Sequence, residues 1–215
     1  MSNTSGGWER YLPQDRRASL LGGAALPDRA FGAALLADIS GFTSLTTSLV
    51  DSLGPRRGAE ELILQINRVY DALITEIEKF GGSVIDFAGD AILCWFDSAR
   101  MGDGLGIATL AAVGAGYALQ EAIRAFSRVD VAGGAEVGIS LKVAIASGEA
   151  RRLVAGDPDI QLLDVLAGST LDRLGEVASS TAGGEVRLDE AAARVIAPLD
   201  AAPRSTGIHA GFPVE

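Results

Sequence analysis

Histidine and cysteine are almost absent from the chain of 215 residues, which has one of each, His209 and Cys94. A zinc site made of Cys and His needs several such ligands and is therefore excluded. One cysteine cannot form a disulfide within the chain. Ser-His-Asp or Cys-His catalysis would depend on His209, which lies in a segment with Gly and Pro beside GFPVE, a poor place for a rigidly held base.

Positive charge is also scarce, because 18 Lys and Arg side chains stand against 28 Asp and Glu, for a formal net charge of -10. This sign argues against general binding to nucleic acid or to an anionic membrane. A hydrophobic fraction of 48% is too high for a disordered chain and fits one globular domain with a sizeable core. The chemistry must then use carboxylates, backbone amides, a few cations and a metal ion.

Long apolar runs are missing as well. Residues 1–20 are polar and have no apolar run before a cleavage site, so no signal peptide is predicted. The longest uncharged stretch, from Gly104 to Gln120, is rich in Gly and Ala and is predicted to be a packed helix rather than a membrane span. We therefore expect a cytoplasmic protein with no membrane insertion.

The apolar pattern predicts an N-terminal arm over residues 1–30, a domain over 31–197 and a tail or linker over 198–215. Buried or alternating runs predict strands over 31–39, 137–145, 161–166 and 183–188, and a hairpin over 83–96. Helices are predicted over 40–54, 57–80, 105–127, 169–180 and 189–199. This order predicts an α+β fold, βαββαβ with additions, with an antiparallel-rich sheet and helices on one face.

Two aspartates interrupt apolar strands, Asp38 at a strand end and Asp90 in the hairpin turn. An isolated buried carboxylate is costly, so each needs a partner, and the element order places both at one end of the sheet. Two converging carboxylates without His or Cys suit Mg²⁺ or Mn²⁺, which share their ligand shell with substrate phosphates. The alternative is that an Asp at a strand end caps a turn, which for Asp90 alone is an equally good interpretation.

The segment after Asp38 has the features of a phosphate site. Residues 39–43 lead into a helix start, where free amides and the helix dipole attract anions. Gly41 lets the backbone come close to a ligand. Lys142, one of only two lysines, lies on an alternating strand and either faces an anion or points to solvent.

The segments ALLADISGFTSLT and FGGSVIDFAGDAILCWF, followed by LKVAIASGEA and GDPDIQLLDVLAGSTLDRL, resemble the catalytic core of class III nucleotidyl cyclases over about residues 31–190. The similarity is greatest to the first of the two cyclase homology domains in bacterial relatives of soluble adenylyl cyclase. The resemblance implies a ferredoxin-like βαββαβ cyclase homology domain with extra terminal elements. It also implies a two-metal reaction at a dimer interface, which converts a nucleoside triphosphate, with ATP favoured, into a cyclic nucleotide and pyrophosphate.

The resemblance also implies roles for individual residues. Asp38 and Asp90 would bind two divalent metal ions, Mg²⁺ or Mn²⁺, and the Ile39 carbonyl would help to bind one of them. The triphosphate would be held by backbone amides of the loop and helix start and by one basic side chain: Ser40, Gly41, Phe42, Thr43 and Lys142.

The other half of the family's site departs from the pattern. Asp86 stands where the family has a base-reading Lys, whereas Asp164 matches its base-reading acidic position. The family's Asn and its transition-state Arg fall at Asp172 and Glu176. We therefore expect this chain to supply the metal and phosphate half of a site that a second cyclase homology domain completes, in cis or in trans. A homodimer should be slow, because one lost stabilising donor costs about 10²- to 10³-fold in rate.

Two alternatives stay open from the sequence. One is an inactive nucleotide-binding or dimerisation module that regulates an attached effector, and the other is a cyclase for GTP, CTP or UTP. A diguanylate cyclase is disfavoured because its loop of two glycines, two acids and an aromatic is absent from GGSVIDF. Asp86 also argues against bicarbonate activation, since the soluble-type cyclases use a Lys at that position.

Overall fold

The computed structural model describes residues 13–22, 26–102, 104–127, 129–131, 135–157 and 161–200. Residues 1–12 of the predicted arm and residues 201–215 of the predicted tail, with His209, lie outside the described residues.

The described part of the chain alternates between helices and strands. Its helices are α1 (Gln14–Gly22), α2 (Phe42–Leu53), α3 (Pro55–Lys79), α4 (Leu105–Ile123), α5 (Ser169–Ser180) and α6 (Glu190–Asp200). Its strands are β1 (Arg29–Ser40), β2 (Ser83–Ala88), β3 (Ala91–Asp97), β4 (Val129–Val131), β5 (Ala135–Val137), β6 (Ser140–Asp157), β7 (Gln161–Ala167) and β8 (Val186–Leu188).

One sheet organises the fold, with the strand order β2-β3-β1-β6-β7. Its neighbouring strands are antiparallel, and β8 pairs with β6 in parallel. The central strand β1 pairs with β6 along its whole length, from Arg29 opposite Arg151 to Ser40 opposite Ser140. The α+β fold is therefore confirmed, and the hairpin of β2 and β3 lies where the sequence predicted it.

Strand β1 is covered on both faces, so the prediction of helices on one face is wrong. Its odd-numbered side chains from 33 to 39 pack in a core with α2, α3 and α4. On the other face, Ala34 packs in a second cluster with Trp95 of β3 and Leu174 of α5. Residues 31–37 are apolar at odd and even positions alike, and such a continuous run is typical of a strand buried on both sides.

Strand β6 is longer than predicted and begins later. The predicted strand over 137–145 divides near Gly138, which separates β5 from β6, and β6 then continues to Asp157. Its second half gains a partner in β7, with Arg151 opposite Ala167 and Asp157 opposite Gln161. Apolar alternation does not predict this half, because most of its side chains from residue 151 to 157 are exposed.

The uncharged segment after Gly104 forms α4, as predicted. Small and aliphatic side chains of this helix are fully buried against the sheet and its neighbouring helices, among them Ala108, Ala112 and Leu119. None of the helices in the described part of the chain has both the length and the apolarity needed to cross a membrane.

The predicted arm contains a helix that is bound to the sheet. The predicted boundary between residues 30 and 31 falls inside β1, and α1 precedes that strand. Arg16 of α1 donates hydrogen bonds to both carboxylate oxygens of Asp164 on β7, at 3.1 and 3.3 Å. Arg152 of β6 lies between Asp15 of α1 and Asp164 and is ion-paired with both.

These four side chains form a neutral, buried ion cluster: Asp15, Arg16, Arg152 and Asp164. Burial raises the pKa of Asp15, but the Arg152 guanidinium, together with the Arg16 amide and the charge of Arg100, outweighs this effect and leaves the pKa below its usual value. Removing one member of such a cluster leaves an uncompensated buried charge. The cluster therefore holds α1 against β6 and β7.

We predict that Arg152→Ala lowers the free energy of unfolding by about 3–5 kcal/mol, because two buried carboxylates lose their shared partner. The matched control is Arg29→Ala, which removes an exposed pair with Glu149 whose side chains are 67% and 41% exposed. That control should cost at most about 1 kcal/mol. Urea unfolding followed by circular dichroism measures both variants, and equal losses would contradict the anchoring role of the cluster.

We also predict that acid weakens the same anchor. The pKa of Asp15 is lower in the folded state than in the unfolded state. The ionised Asp15 therefore makes its full contribution to stability above the unfolded pKa of about 3.9, and this contribution is lost as the pH falls through the folded-state pKa. Asp15→Asn should be less stable at pH 7 and should lose less further stability between about pH 5 and pH 2. Melting temperatures across this range test the prediction, with Asp71→Asn on the exposed side of α3 as control.

Candidate active site

The end of β1 brings the two predicted aspartates to the same place. Asp38 lies opposite Ala91 of β3 on one side and opposite Lys142 of β6 on the other. Asp90 immediately precedes Ala91, and its carbonyl accepts a hydrogen bond from the Ile39 amide at 3.3 Å. The hairpin turn is thereby fastened to the end of the central strand, with the Asp90 side chain exposed.

Lys142 forms an ion pair with Asp38. The distance from its Nζ to Asp38 Oδ2 is 2.8 Å, and the two side chains are 30% and 32% exposed. Both residues lie on the sheet face that also carries Ala34 and Ala144, which belong to the second core cluster. The Lys142 ammonium therefore faces an anion, the Asp38 carboxylate, and does not simply point to solvent.

The loop from β1 to α2 is shaped by Gly41. Its φ of 112° lies in the left-handed region, and a Cβ there would be 2.3 Å from the Gly138 carbonyl oxygen. Helix α2 starts at Phe42 without a side-chain cap, and its first i→i−4 bond runs from the Leu45 amide to the Gly41 carbonyl. The amides of the first turn therefore have no acceptor within the helix and give this end a positive potential beside Asp38.

The other predicted phosphate-binding residues line the same corner. Ser40 is the last residue of β1, opposite Ser140, and is exposed. Thr43 is exposed in the first turn of α2, whereas the Phe42 side chain is buried in the core. Only the backbone of Phe42 is thus available to a ligand.

Tyr70 of α3 supports this corner and was missed from the sequence. Its ring contacts Phe42 and Phe87 edge-to-face, with centroids 6.3 and 5.3 Å apart. Its hydroxyl donates to the Gly89 carbonyl at 3.5 Å. Burial raises the pKa of Tyr70, and the negative charge of Asp90 raises that pKa further. Tyr70 lies four residues after one apolar position of α3 and three residues before another. This helical spacing could have identified Tyr70 as part of the packed face of α3.

The residues of the predicted second half-site lie elsewhere. Asp86 and Asp164 line a cavity of about 540 Å³ between α1, α3, β2 and β7. Asp86 is exposed and accepts a hydrogen bond from the Phe87 amide at 2.8 Å. The Asp164 side chain is fully buried in the ion cluster with Arg16 and Arg152. Its two oxygens are therefore engaged within the chain.

Helix α5 carries the remaining two candidates. Asp172 and Glu176 are exposed and lie four residues apart, on one side of the helix. Arg173, the arginine between them, is turned inward. Its Nε donates to Asp189 at 2.7 Å, and its Nη2 donates to the Ser147 carbonyl at 2.8 Å. This arginine joins α5 to the sheet and the start of α6, an interaction that the sequence pattern did not reveal.

The oxygen ligands at the end of β1 suit a hard cation, but they are too few to complete its coordination shell. Within the described residues, no group of three or more His, Cys, Asp or Glu side chains could hold a metal ion. The carboxylates of Asp38 and Asp90 offer oxygen ligands alone, which Mg²⁺ and Mn²⁺ accept. The ammonium of Lys142 beside Asp38 marks the position as one that accepts positive charge. The residues therefore fit a divalent metal whose shell is completed by another molecule.

Curated adenylate cyclases match part of the chain. The chain is 38% identical to adenylate cyclase type 10 of Homo sapiens over 72 residues, 31% of this chain and 4% of the human protein. The protein of the same name from Rattus norvegicus is 39% identical over 62 residues, 29% of this chain and 4% of that protein. The chain thus spans a small fraction of the length of these relatives. No protein-family model matches it.

Solved structures match most of the chain. The adenylyl cyclase CyaB from P. aeruginosa superposes with a TM-score of 0.66 and 20% identity, covering 80% of this chain and 82% of that chain. The guanylate cyclase domain of RhGC from Catenaria anguillulae, in complex with GTP, superposes with a TM-score of 0.60 and 16% identity, covering 80% and 85%. The chain therefore has the fold of nucleotidyl cyclase catalytic domains, and part of its sequence is similar to adenylate cyclases, in agreement with the resemblance seen in the sequence.

Proposed function

We propose that the chain supplies the metal- and triphosphate-binding half of a nucleotidyl cyclase site, which a second cyclase homology domain completes. The observation that carries this proposal is the surroundings of Asp38, which lies beside the Asp90 turn, the open start of α2 and the Lys142 ammonium. Phosphoryl transfer depends mainly on positioning and on fixed charges of these kinds.

Asp38, Asp90 and the Ile39 carbonyl would hold the divalent ions, two of them by the family's pattern. When bound, Mg²⁺ or Mn²⁺ ions stabilise the negative charge on the attacking and leaving oxygens of an in-line displacement. The chain's own contribution is a fixed geometry, since the bond from the Ile39 amide to the Asp90 carbonyl holds the turn against β1.

The start of α2 and Lys142 would bind the terminal phosphates. By the family's pattern, the amides of residues 40–43 would face these phosphates, at a helix start where the dipole favours negative charge. Holding the β- and γ-phosphates orients the α-phosphorus toward the 3′-hydroxyl of the same ribose. The 3′-oxygen bonds to the α-phosphorus and its proton passes to solvent as the bond to pyrophosphate breaks, which gives a cyclic nucleotide and pyrophosphate.

A partner domain is needed for the other groups. Asp86, Asp172 and Glu176 are exposed carboxylates, which at neutral pH accept hydrogen bonds and cannot donate them to a phosphate. A homodimer would therefore lack both the base-reading cation and the transition-state cation. We propose that the second domain, on the same polypeptide or on another, brings a Lys, an Asn and an Arg.

ATP is the proposed substrate, because the sequence matches are to adenylate cyclase type 10 proteins. The similar structures include an adenylyl cyclase and a guanylate cyclase domain bound to GTP, so GTP is the alternative. A second candidate function is a module that binds nucleotide or dimerises without turnover. The carboxylates at Asp86, Asp172 and Glu176 favour it for the chain on its own.

We predict cyclic AMP formation from ATP and Mn²⁺ when this chain is combined with a cyclase domain that carries the Lys, Asn and Arg. Asp38→Asn should reduce the rate by at least about 10²-fold, the loss seen when one fixed charge-stabilising group is removed. Asp51→Asn, an exposed change on α2, is the control and should keep the wild-type rate.

Mass spectrometry of the cyclic nucleotide measures the outcome of this combination. A partner complex confirmed by its mass that stays silent, with Asp38→Asn equal to wild type, contradicts the enzyme function. Asp38-dependent binding of a non-hydrolysable ATP analogue without turnover would instead support the regulatory module.

We predict that Gly41→Ala weakens binding of the same ATP analogue. The substitution strains a backbone with φ of 112° and brings the new Cβ to 2.3 Å from the Gly138 carbonyl oxygen, so the loop has to shift. Gly54→Ala is the control, because Gly54 also has a positive φ but its added Cβ would meet nothing within 4 Å. Calorimetry should give at least about tenfold weaker binding for the first variant, or about 1.4 kcal/mol, and no change for the second. Equal affinities would exclude the Gly41 loop from the phosphate site.

A further inference from the structure

Lys142 already occupies the place that a metal ion would take at Asp38. Its ammonium is 2.8 Å from Asp38 Oδ2, and the two residues are directly opposite each other on β1 and β6. On its other side Asp38 faces Ala91, which carries no charge. The ammonium is therefore the cation that the neighbouring strand β6 places beside this carboxylate.

A divalent ion and this ammonium compete for the same oxygen. A metal ion that binds Asp38 while Lys142 stays in place would also lie close to a like charge, which is unfavourable. Both side chains are about one-third exposed, at 30% and 32%. A pair with this exposure is weak, so the ammonium can leave Asp38 without a large penalty.

We infer that Lys142 is a resident cation of Asp38 that changes partner when substrate arrives, so that metal and triphosphate bind as a coupled pair. This inference rests on the proposed function. Lys has a flexible four-carbon stem and a compact ammonium, which allow it to exchange one anion for another. In the exchange the carboxylate is released to the metal, and the ammonium passes to a phosphate oxygen at the start of α2.

The exchange has a thermodynamic consequence. Without nucleotide, metal binding has to break the Lys142–Asp38 pair and proceeds against the ammonium charge. With nucleotide, the phosphate takes up that charge, so each ligand strengthens the binding of the other by the same factor. Metal alone should therefore bind weakly, and the chain should take up the metal–nucleotide pair instead.

The test is a calorimetric titration of the full chain with Mn²⁺, without and with a non-hydrolysable ATP analogue. Lys142→Gln removes the resident cation, and we expect nucleotide-free Mn²⁺ binding to tighten about two- to fivefold, the range of an exposed pair. In wild type, the analogue should tighten Mn²⁺ binding by about 5- to 150-fold, the range of a typical coupling between two sites. This factor should be smaller in Lys142→Gln.

Lys79→Gln is a matched control because it removes the same charge from the chain's other lysine. Lys79 lies at the end of α3 and is paired with Glu76 at 2.7 Å. This variant changes the net charge equally, so it separates a local effect at Asp38 from a general one. We expect its Mn²⁺ affinity and its coupling factor to equal those of wild type.

The remaining outcomes separate the inference from the function on which it rests. If Lys142→Gln binds nucleotide-free Mn²⁺ no more tightly than wild type, while Asp38→Asn still abolishes Mn²⁺ binding with the analogue, the resident-cation role is overturned and the metal site stands. If Mn²⁺ binding with the analogue does not depend on Asp38, the proposed function and this inference both fail.

Discussion

The negative charge of Asp38 at the end of a strand that is buried on both faces is the constraint on which the site depends. A partly exposed carboxylate in this position is stabilised by a cation beside it. Strand β6 provides Lys142 from the directly opposite position, and the hairpin turn brings a second carboxylate, Asp90, to the same corner. The start of α2 adds open amides because Gly41 turns the chain where no side chain fits. A lysine, a tight turn and an uncapped helix start thus meet at Asp38.

The charge of Asp164 on the edge strand β7 is balanced differently. Asp164, which by family resemblance would help to read a base, is neutralised inside the chain by Arg16 and Arg152. Because Arg152 also binds Asp15, the same cluster fixes α1 over the cavity that Asp86 lines. The two carboxylates therefore differ in burial and in pairing: Asp38 is partly exposed and has one weak ion pair, whereas Asp164 is buried and paired with two arginines. This asymmetry agrees with a chain that contributes one half of a composite site.

Much of this could be predicted from the sequence, where local patterns decide the outcome. The hairpin around Asp90, the helix over 169–180 and the meeting of Asp38 with Asp90 follow from apolar periodicity and element order. The ion cluster could not be predicted in this way, because Asp15 and Arg152 are 137 residues apart and no periodic signal connects them. The second half of β6 was missed for a related reason, since pairing with β7 rather than burial defines it. Tyr70 lay within the apolar period of α3, but its contact with the Asp90 turn depends on tertiary packing.

The proposed function requires that the end of β1 binds metal ions together with a nucleoside triphosphate. The most direct measurement is anomalous diffraction from crystals of the chain grown with Mn²⁺ and a non-hydrolysable ATP analogue. We expect manganese peaks between the carboxylates of Asp38 and Asp90, with the terminal phosphates at the first turn of α2 and the Lys142 ammonium moved from Asp38 to a phosphate. Nucleotide bound elsewhere, for example in the cavity beside α1, with no manganese at Asp38, would contradict the proposed function.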